Sequence, residues 1–411
     1  MAVFKPFKAI RPIPEAAQKV AALPYDVMNS AEAREAVKGN EYSFLHVDKA
    51  EIDLPEDTYI YDEKVYLKAA QNLEKLMQNG VCRQDETDCF YIYRQVMDGR
   101  AQTGLVGCAS IDDYINDVIK KHENTRADKE KDRINHVDYC NANTGPIFLT
   151  YRNDLTITSL IEQEMEKPPV YDFESSGVRN TVWVVDKSST IEELRTLING
   201  VANFYIADGH HRAASAVKVG LKRREQNPGY TGEEEFNYFL AVLFPDDQLS
   251  IMDYNRVVRD LNGLTAEEFV QRVSEVYTVE PLAARPADLK RHQVGMYLDN
   301  CWYKLTLKDS VCDESNPVGR LDVSILQDNI LSPVLGIEDP KTDSRIDFIG
   351  GIRGLSELEK RCSQDMKVAF AMCPTSIEEL MDIADAGLLM PPKSTWFEPK
   401  LLSGLFIHKL S

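Results

Sequence analysis

The amino-acid sequence predicts a mixed α/β (α+β) protein with two domains. Over the first 255 residues, short apolar runs typical of strands are interspersed with segments of helical apolar spacing. Beyond about residue 256 the pattern changes to an α+β mixture of helices and hairpins. A length of 411 residues favours two domains, with a single domain as the alternative. We therefore expect one domain over 1–255 and a second over 256–411.

The N-terminal 60 residues are predicted to be largely irregular, because their prolines exclude long helices. A short helix is expected at 30–38 and a longer one at 62–79, where apolar residues recur at helical spacing. Two β-rich runs at 89–96 and 102–110 flank Asp98-Gly99, a dipeptide typical of hairpin turns. These features predict a helix followed by a β-hairpin.

The following segment, 119–138, is dense in charged residues and favours a solvated helix face as much as a functional site. Further strands are expected at 147–151, 181–186, 202–207 and 238–244, with helices at 190–199 and 210–220, the last ended by Gly220. Beyond residue 256 we expect helices at 266–277, 322–331, 355–362 and 376–385, a hairpin across 294–307 and strands near 346–349 and 366–371.

Composition limits the class of partner. The formal net charge of −19 disfavours binding to bulk nucleic acid, which requires a basic face. A few Arg, Lys and His residues could still form a local pocket for a small phosphorylated ligand. The eight cysteines form no Cys-x-x-Cys pair, and no apolar run approaches the ~18 residues of a membrane span. With no signal-peptide pattern at the N-terminus, these features predict a cytoplasmic protein without a membrane partner.

The strongest chemical signal is the run Asp208-Gly209-His210-His211-Arg212, which follows a predicted strand and opens a predicted helix. The free amides and positive dipole of a helix start form an anion site. Two imidazoles and a guanidinium at the same place add donors for phosphate oxygens, and Gly209 permits close approach of a ligand. Asp208 could hold Mg²⁺ or accept a hydroxyl proton. The alternative is a capped turn with surface histidines.

A second candidate run is Lys121-His122-Glu123, in the charged segment. Lys121 and His122 could neutralise phosphate, with Glu123 as a carboxylate base for an acceptor hydroxyl. The alternative is a charged helix surface. A third run, Lys393-Ser394-Thr395, has a lysine followed by two hydroxyls but lacks the glycines of a P-loop, so a proline-rich surface loop is its alternative.

Three residues of the irregular N-terminal segment, Arg11, Asp26 and His46, are weaker candidates for substrate contacts, since loops can deliver side chains to a site. A metal-hydrolase site would use His210, His211, His122 and Asp208 as ligands. Adjacent histidines rarely point the same way on a helix, and no His-x-x-x-His spacing is present. The sequence therefore disfavours that alternative.

Taken jointly, six motifs resemble a large prokaryotic family of uncharacterised conserved proteins, once described as chromosome-partitioning (ParB-like) relatives. The resemblance covers nearly the full chain, and its motifs lie at 11–12, 22–27, 43–47, 121–125, 206–212 and 390–395. The run 208–212 is also similar to the phosphate-binding motif of the ParB/sulfiredoxin-like superfamily, and most closely to that of free serine kinases. Those enzymes phosphorylate the hydroxyl of L-serine and are much shorter than this chain.

The resemblance implies a ParB/sulfiredoxin-like core whose nucleotide phosphates are held by residues 208–212, and a C-terminal α+β portion that lends the Lys393-Ser394-Thr395 loop to the cleft. It implies phosphoryl transfer from ATP or ADP, with Mg²⁺, to a small hydroxyl-bearing metabolite, most simply free L-serine. Glu123 or Asp208 would accept the acceptor proton, with Asp26 as a further candidate. The transferring charge would be stabilised by His210, His211, Arg212 and Lys121. Alternatives are a nucleotide-binding regulatory or partition-like protein without turnover, and a phosphohydrolase that uses the same anion site.

Overall fold

The computed structural model describes residues 2–125 and 127–411 and is a mixed α/β structure, as the sequence predicts. The described chain forms two compact units. The first contains the residues up to Leu249 together with Pro399–Ser411, and the second is Ser250–Glu398. The last thirteen residues therefore group with the first unit, whereas the sequence assigned them to the C-terminal domain. Among the described residues, no helix is both long and apolar enough to cross a membrane.

The first unit contains most of the regular elements. Its strands are β1 (Phe4–Lys5), β2 (Ile10–Pro12), β3 (Cys82–Gln84), β4 (Phe90–Met97), β5 (Arg100–Ser110), β6 (Ile119–Lys120), β7 (Ala142–Asn143), β8 (Ile147–Tyr151), β9 (Tyr171–Ser175), β10 (Val178–Val185), β11 (Phe204–Asp208) and β12 (Tyr238–Pro245). Its helices are α1 (Ala17–Val20), α2 (Ser30–Ala36), α3 (Leu45–Asp48), α4 (Glu63–Gln78), α5 (Ile111–Ile115), α6 (Ala127–Cys140), α7 (Leu155–Met165), α8 (Ser188–Asn199) and α9 (His210–Gln226).

Nine of the described strands form one large sheet in the order β6-β11-β8-β12-β5-β4-β10-β9, with β1 paired to β5. Two neighbouring pairs are parallel, β6 with β11 and β8 with β12, and the other pairs are antiparallel. The β4–β5 hairpin turns at Asp98 and Gly99, which both have positive φ, as the Asp-Gly signal predicts. The sheet is therefore mixed, with its one parallel edge at β6 and β11.

The main core of the first unit lies between this sheet and three helices. Ile157 of α7, Leu194 of α8 and Val217 of α9 belong to the same buried cluster as Leu149 of β8 and Phe204 of β11. Burial of such side chains stabilises the fold by roughly 1.5–3 kcal/mol each. Packing of α9 against the sheet fixes the direction in which its N-terminus points.

The second unit contains β13 (Ile251–Met252), β14 (Tyr254–Val258), β15 (Tyr277–Leu282), β16 (Gln293–Leu298), β17 (Cys301–Leu307), β18 (Ile346–Gly350), β19 (Val368–Ala371) and β20 (Trp396–Phe397), with helices α10 (Ala266–Val276), α11 (Asp322–Leu326), α12 (Leu355–Gln364) and α13 (Ile377–Asp385). Six described strands form an antiparallel sheet in the order β15-β17-β16-β19-β14-β18. Its core includes Val257, Trp302 and Leu358.

The final strand, β21 (His408–Lys409), returns to the first unit. It pairs with β7, and Ile407 exchanges backbone hydrogen bonds with Ile10 at 2.9 Å in each direction. Ser403 pairs in the same way with Ala22. These bonds tie the last residues of the chain to its irregular N-terminal segment.

Helix α9 runs on to Gln226, six residues beyond the end that Gly220 predicts. Gly220 instead permits a close approach, because a Cβ placed there would lie 2.5 Å from the carbonyl oxygen of Phe236. Such a contact requires the backbone to shift. Glycine is therefore required at this position by close packing, and it does not end the helix.

Gly220→Ala is expected to lower the free energy of unfolding by about 1–3 kcal/mol, since overpacking outweighs the ~1 kcal/mol gain in helix propensity. Urea denaturation checks this, with the neighbouring Leu221→Ala as the control because Leu221 is exposed. The control is expected to change stability by no more than about 0.5 kcal/mol. A Gly220→Ala protein as stable as the wild type would contradict the close approach.

Candidate functional site

The start of α9 follows a sharp turn at the end of β11. The pairing of β11 with β8 shifts register between Ile206 and Asp208, and Gly209 follows with φ 93°. That left-handed backbone suits glycine and turns the chain from strand to helix. The N-cap residue is Gly209, which has no side chain to cap the first turn of this 17-residue helix. An uncapped helix start is the kind of backbone that anions bind.

Asp208 is held at this turn by two hydrogen bonds. Its Oδ1 accepts from the Gly209 amide at 2.8 Å, and its Oδ2 pairs with Nζ of Lys400 at 3.0 Å. Burial acts to raise the pKa of Asp208, but the charges of Lys400 and Arg212 outweigh it and hold the pKa well below its usual range. Asp208 is therefore a firmly ionised carboxylate.

Arg212 folds back over the turn. A Cβ placed on Gly209 would lie 3.3 Å from its Nε, and one on Gly145 would lie 3.3 Å from its Nη1. The same Nη1 donates a hydrogen bond to the carbonyl oxygen of Pro146 at 2.7 Å. Two glycines thus make room for the guanidinium beside the uncapped helix start.

A second guanidinium lies on α6, which packs against α9. Arg133 is buried, and its Nε and Nη2 lie 2.9 and 2.7 Å from Oδ2 of Asp132. Its other face stacks on the ring of Tyr25 at 4.0 Å from the centroid. Burial acts to lower the pKa of Arg133, but Asp132, Tyr25 and Asp48 raise it, so the group stays charged.

Arg133 and Arg212 line one cavity together with Tyr25 and polar groups that include Thr144 and Ser403. The cavity also has a carboxylate, Asp48, whose Oδ1 accepts a hydrogen bond from Oγ1 of Thr144 at 2.9 Å. Its volume is about 30 Å³, room for about one water molecule. The structure thus brings two cationic side chains and the hydroxyls of Thr144 and Ser403 to one cavity, and Arg212 connects this cavity to the first turn of α9.

A histidine pair lies at the same edge of the sheet. The rings of His122 and His210 are perpendicular, with centroids 4.5 Å apart, and both side chains are buried. Burial lowers the pKa of His122 well below its usual range, and it lowers that of His210 to about 4. Both imidazoles are therefore neutral near pH 7. A ligand atom of Glu123 lies within 4.8 Å of one on each histidine.

These groups meet because β6 and β11 are parallel neighbours, with Phe204 opposite Ile119 and Tyr205 opposite Lys120. The carboxyl ends of parallel strands lie at the same edge of a sheet. Residues 121–123 follow β6, and residues 208–212 span the end of β11 and the first turn of α9. The first and second predicted runs are thus brought together.

A family model described as "Protein of unknown function (DUF1015)" matches residues 4–324, well over half of the chain. The chain belongs to the DUF1015 family. No curated protein matches this DUF1015 chain.

Solved structures similar to this DUF1015 chain include free serine kinase in complex with AMP, at 14% identity and a TM-score of 0.36, covering 70% of this chain and 85% of that one. A conserved hypothetical protein from Pyrococcus furiosus shares 13% identity, with a TM-score of 0.35 and coverages of 73% and 93%. SbnI with a C-terminal truncation, from Staphylococcus aureus, shares 12% identity, with a TM-score of 0.38 and coverages of 72% and 85%. Similarity of this degree establishes no shared activity.

Two other predicted residues of the DUF1015 chain lie near the site. Nζ of Lys121 donates a hydrogen bond to the Tyr114 carbonyl oxygen at 3.4 Å. The positive charge of Lys121 also acts to lower the pKa of His210. His211 lies within electrostatic range of His210, and its carbonyl oxygen accepts a hydrogen bond from Oγ of Ser215 at 2.7 Å. The catalytic and phosphate-binding roles assigned to them stay predictions.

The N-terminal candidates have structural partners. Nε of Arg11 lies 2.7 Å from Oδ2 of Asp85 in an ion pair. Asp26 is exposed beside Tyr25, whose pKa it acts to raise. His46 lies on α3, where its Nδ1 is 2.8 Å from Oδ1 of Asp53. None of these three lines the cavity that contains Arg133 and Arg212 among the described residues.

The Lys393-Ser394-Thr395 run lies in the second unit. Oγ of Ser394 donates to the carbonyl oxygen of Pro391 at 2.7 Å, and the Ser394 carbonyl oxygen accepts from Oγ1 of Thr375 at 3.1 Å. Lys393 has a φ of 60°. These bonds stabilise a tight turn, and the predicted contribution of this loop to a phosphate cleft stays a prediction.

The His46–Asp53 pair makes stability depend on pH. The hydrogen bond to Asp53 raises the pKa of His46. The folded protein thus favours the protonated imidazole, and this contribution is fully present below the ordinary pKa of about 6.5 and lost as pH rises through the raised value. The stability difference between wild type and His46→Gln is expected to be largest near about pH 5–6 and to shrink by about pH 9. Urea denaturation across that range checks this, and a constant difference would contradict it.

Proposed function

We propose that this DUF1015 chain is a nucleotide-dependent phosphotransferase that moves a phosphoryl group from ATP or ADP to the hydroxyl of a small metabolite. The observation that carries the proposal is the cavity lined by Arg133 and Arg212, with Arg212 lying against the uncapped start of α9. Cationic side chains and helix-start amides at one place favour a phosphate oxygen over other ligands.

Each group has a role in this proposal. The first-turn amides of α9 and Gly209 contact phosphate oxygens, and Arg212 provides a forked donor pair. Arg133 supplies a buried charge that stabilises the transferring group. A phosphoryl group is larger than a cavity of about 30 Å³, so we expect the loop that carries Tyr25 to move when a ligand binds.

Glu123 is favoured over Asp208 as the base that accepts the acceptor proton. A general base works best with a pKa near the operating pH, whereas Lys400 and Arg212 hold the pKa of Asp208 well below its usual range after opposing the effect of burial. Asp208 then positions Lys400 and the Gly209 amide. A Mg²⁺ ion on Asp208 would compete with Lys400 for its carboxylate, so we derive no step through that ion.

Phosphorus NMR on the purified full chain tests the proposal. The protein is incubated with ATP or ADP, Mg²⁺ and a panel of amino acids that includes L-serine, the acceptor implied by the 208–212 motif. A new phosphoester resonance that requires one acceptor is the expected result. Free phosphate without acceptor dependence would indicate a hydrolase instead, and an unchanged spectrum would indicate a protein that binds nucleotides without turnover.

A further inference from the structure

The histidine pair next to the anion site forms a donor set that phosphate binding does not use. His122 follows β6 by two residues, and His210 follows β11 by two residues, so the parallel pairing of these strands places both imidazoles at one edge. Their side chains come from different elements, which avoids the divergence expected of neighbouring histidines on one helix. This topology supplies a ligand arrangement that sequence spacing does not reveal.

Three ring nitrogens of this pair are buried without a hydrogen-bond partner of full geometry among the described residues. His122 is 2% exposed and His210 is 7% exposed. The three nitrogens are Nδ1 and Nε2 of His122 and Nε2 of His210, counted over residues 2–125 and 127–411. The Ile206 backbone interacts with the His122 ring and acts to raise its pKa, so one nitrogen of His122 has a weak backbone contact. Buried polar atoms are nearly always satisfied by protein, ordered water or a bound ion. Two neighbouring buried imidazoles with unsatisfied nitrogens are what a bound ion or an ordered water would require.

The spacing of the three donors suits a single ion. One ligand atom each from His122, Glu123 and His210 lies within 4.8 Å of the others. Ligands at 2.0–2.2 Å from one tetrahedral metal are separated by about 3.4 Å, so small side-chain rotations bring the set to bonding distance. A carboxylate with two neutral imidazoles is a donor set of metal sites that keep a position for water or substrate.

The donor type selects the class of metal. Mg²⁺ prefers oxygen ligands, whereas imidazole nitrogens favour divalent transition metals such as Zn²⁺. The surrounding charges are mixed. Asp208 lies within electrostatic range of both histidines, and Lys121 within range of His210, with its Nζ directed to the Tyr114 carbonyl oxygen. The two carboxylates, Asp208 and Glu123, offset the positive charge of Lys121 and of the α9 start.

We propose that His122, Glu123 and His210 bind one divalent transition-metal ion, with Zn²⁺ as its representative. The site differs in position and donor type from a Mg²⁺ site on Asp208. It does not rest on the proposed phosphotransfer, because metal binding is measured without turnover. With a metal bound, Glu123 is a ligand and not the general base, so a positive result would reassign that one role and leave the phosphate contacts unchanged.

The test uses the full chain, stripped with a chelator and then titrated with Zn²⁺ or Co²⁺. One equivalent of metal per chain is expected, with visible Co²⁺ absorption that Zn²⁺ displaces. His122→Gln and His210→Gln are each expected to weaken binding by more than about 100-fold, since loss of an outer-shell partner alone typically costs 10–100-fold. The matched control is His46→Gln, a histidine of the same unit that pairs with Asp53, and it is expected to bind normally.

If a buried-histidine variant fails to fold, X-ray absorption spectroscopy of the Zn²⁺-loaded wild type still identifies the ligands of the metal. Scattering from two imidazoles and at least one oxygen is expected. Substoichiometric binding, a spectrum without two imidazoles, or unchanged affinity in both folded histidine variants would overturn the proposal and leave the pair as an edge-to-face contact or a water site. Failure here leaves the phosphorus NMR result unaffected, so the two proposals fail separately.

Discussion

Arg133→Met is expected to lower the free energy of unfolding by about 3–5 kcal/mol, the usual cost of removing one partner from a buried ion pair. The substitution removes the cation that balances Asp132 in the protein interior, where both residues are buried. Tyr66 donates one hydrogen bond to Asp132 at 3.0 Å, which does not replace a full charge. Chemical denaturation of wild type and variant measures the difference.

The double variant Arg133→Met/Asp132→Leu distinguishes loss of the Arg133–Asp132 ion pair from loss of the contact between Arg133 and Tyr25. Replacing both members of a buried pair by apolar groups is often neutral, so the double variant is expected to regain most of the lost stability. A double variant as unstable as Arg133→Met would show that the guanidinium acts through its contact with Tyr25 and not through Asp132. Equal stability of the single variant and the wild type would contradict the buried pair itself.

Arg212→Met is expected to lower kcat/KM for phosphoryl transfer by about 100- to 1,000-fold, the range for loss of one preorganised donor to developing charge. Its guanidinium is placed beside Gly209 by Gly145 and by the hydrogen bond to Pro146, so no other side chain takes its position. The rate is read from the phosphoester resonance, and nucleotide affinity from calorimetry on the same samples.

Arg223→Met is the matched control, because it removes the same charge from the last turn of the same helix. Arg223 pairs with Asp138, and eleven residues of helix place it about 16 Å from Arg212. Its kcat/KM is expected to stay within about twofold of the wild type, since charges beyond a Debye length of about 8–10 Å are screened. Equal losses in both variants would indicate a general charge effect and count against a specific phosphate contact.

The sequence predicted the fold class and most long elements because their apolar periodicity is strong. Helix α4 over Glu63–Gln78 and the β4–β5 hairpin lie close to their predicted positions. The predicted ends of elements were wrong where tertiary contacts determine where an element ends. Gly220 has the residue type of a helix end, but the helix continues to Gln226, and the Phe236 backbone lies too close to Gly220 for a larger residue.

The candidate site was predicted in part. The turn at 208–212 was identifiable because strand, glycine and basic residues are adjacent in sequence, whereas Arg133 and Lys400 were not. Arg133 lies in a charged segment whose pattern is that of a solvated helix, and only its position facing Tyr25 buries it. Lys400 pairs with Asp208 although the two residues are 192 positions apart in the chain. A local sequence pattern cannot predict a contact between residues so far apart.

Lys400 and β21 belong to the first unit but follow the whole second unit in the chain. Ribosomes add roughly 5–20 residues per second, so synthesis of the intervening Ser250–Glu398 segment takes on the order of 7–30 s. During that interval the nascent chain carries Asp208 without Lys400, and Ile10 has its partner Gln84 on β3 but not its bridge to Ile407. The turn at Asp208 therefore gains its ion pair only after the second unit has been translated.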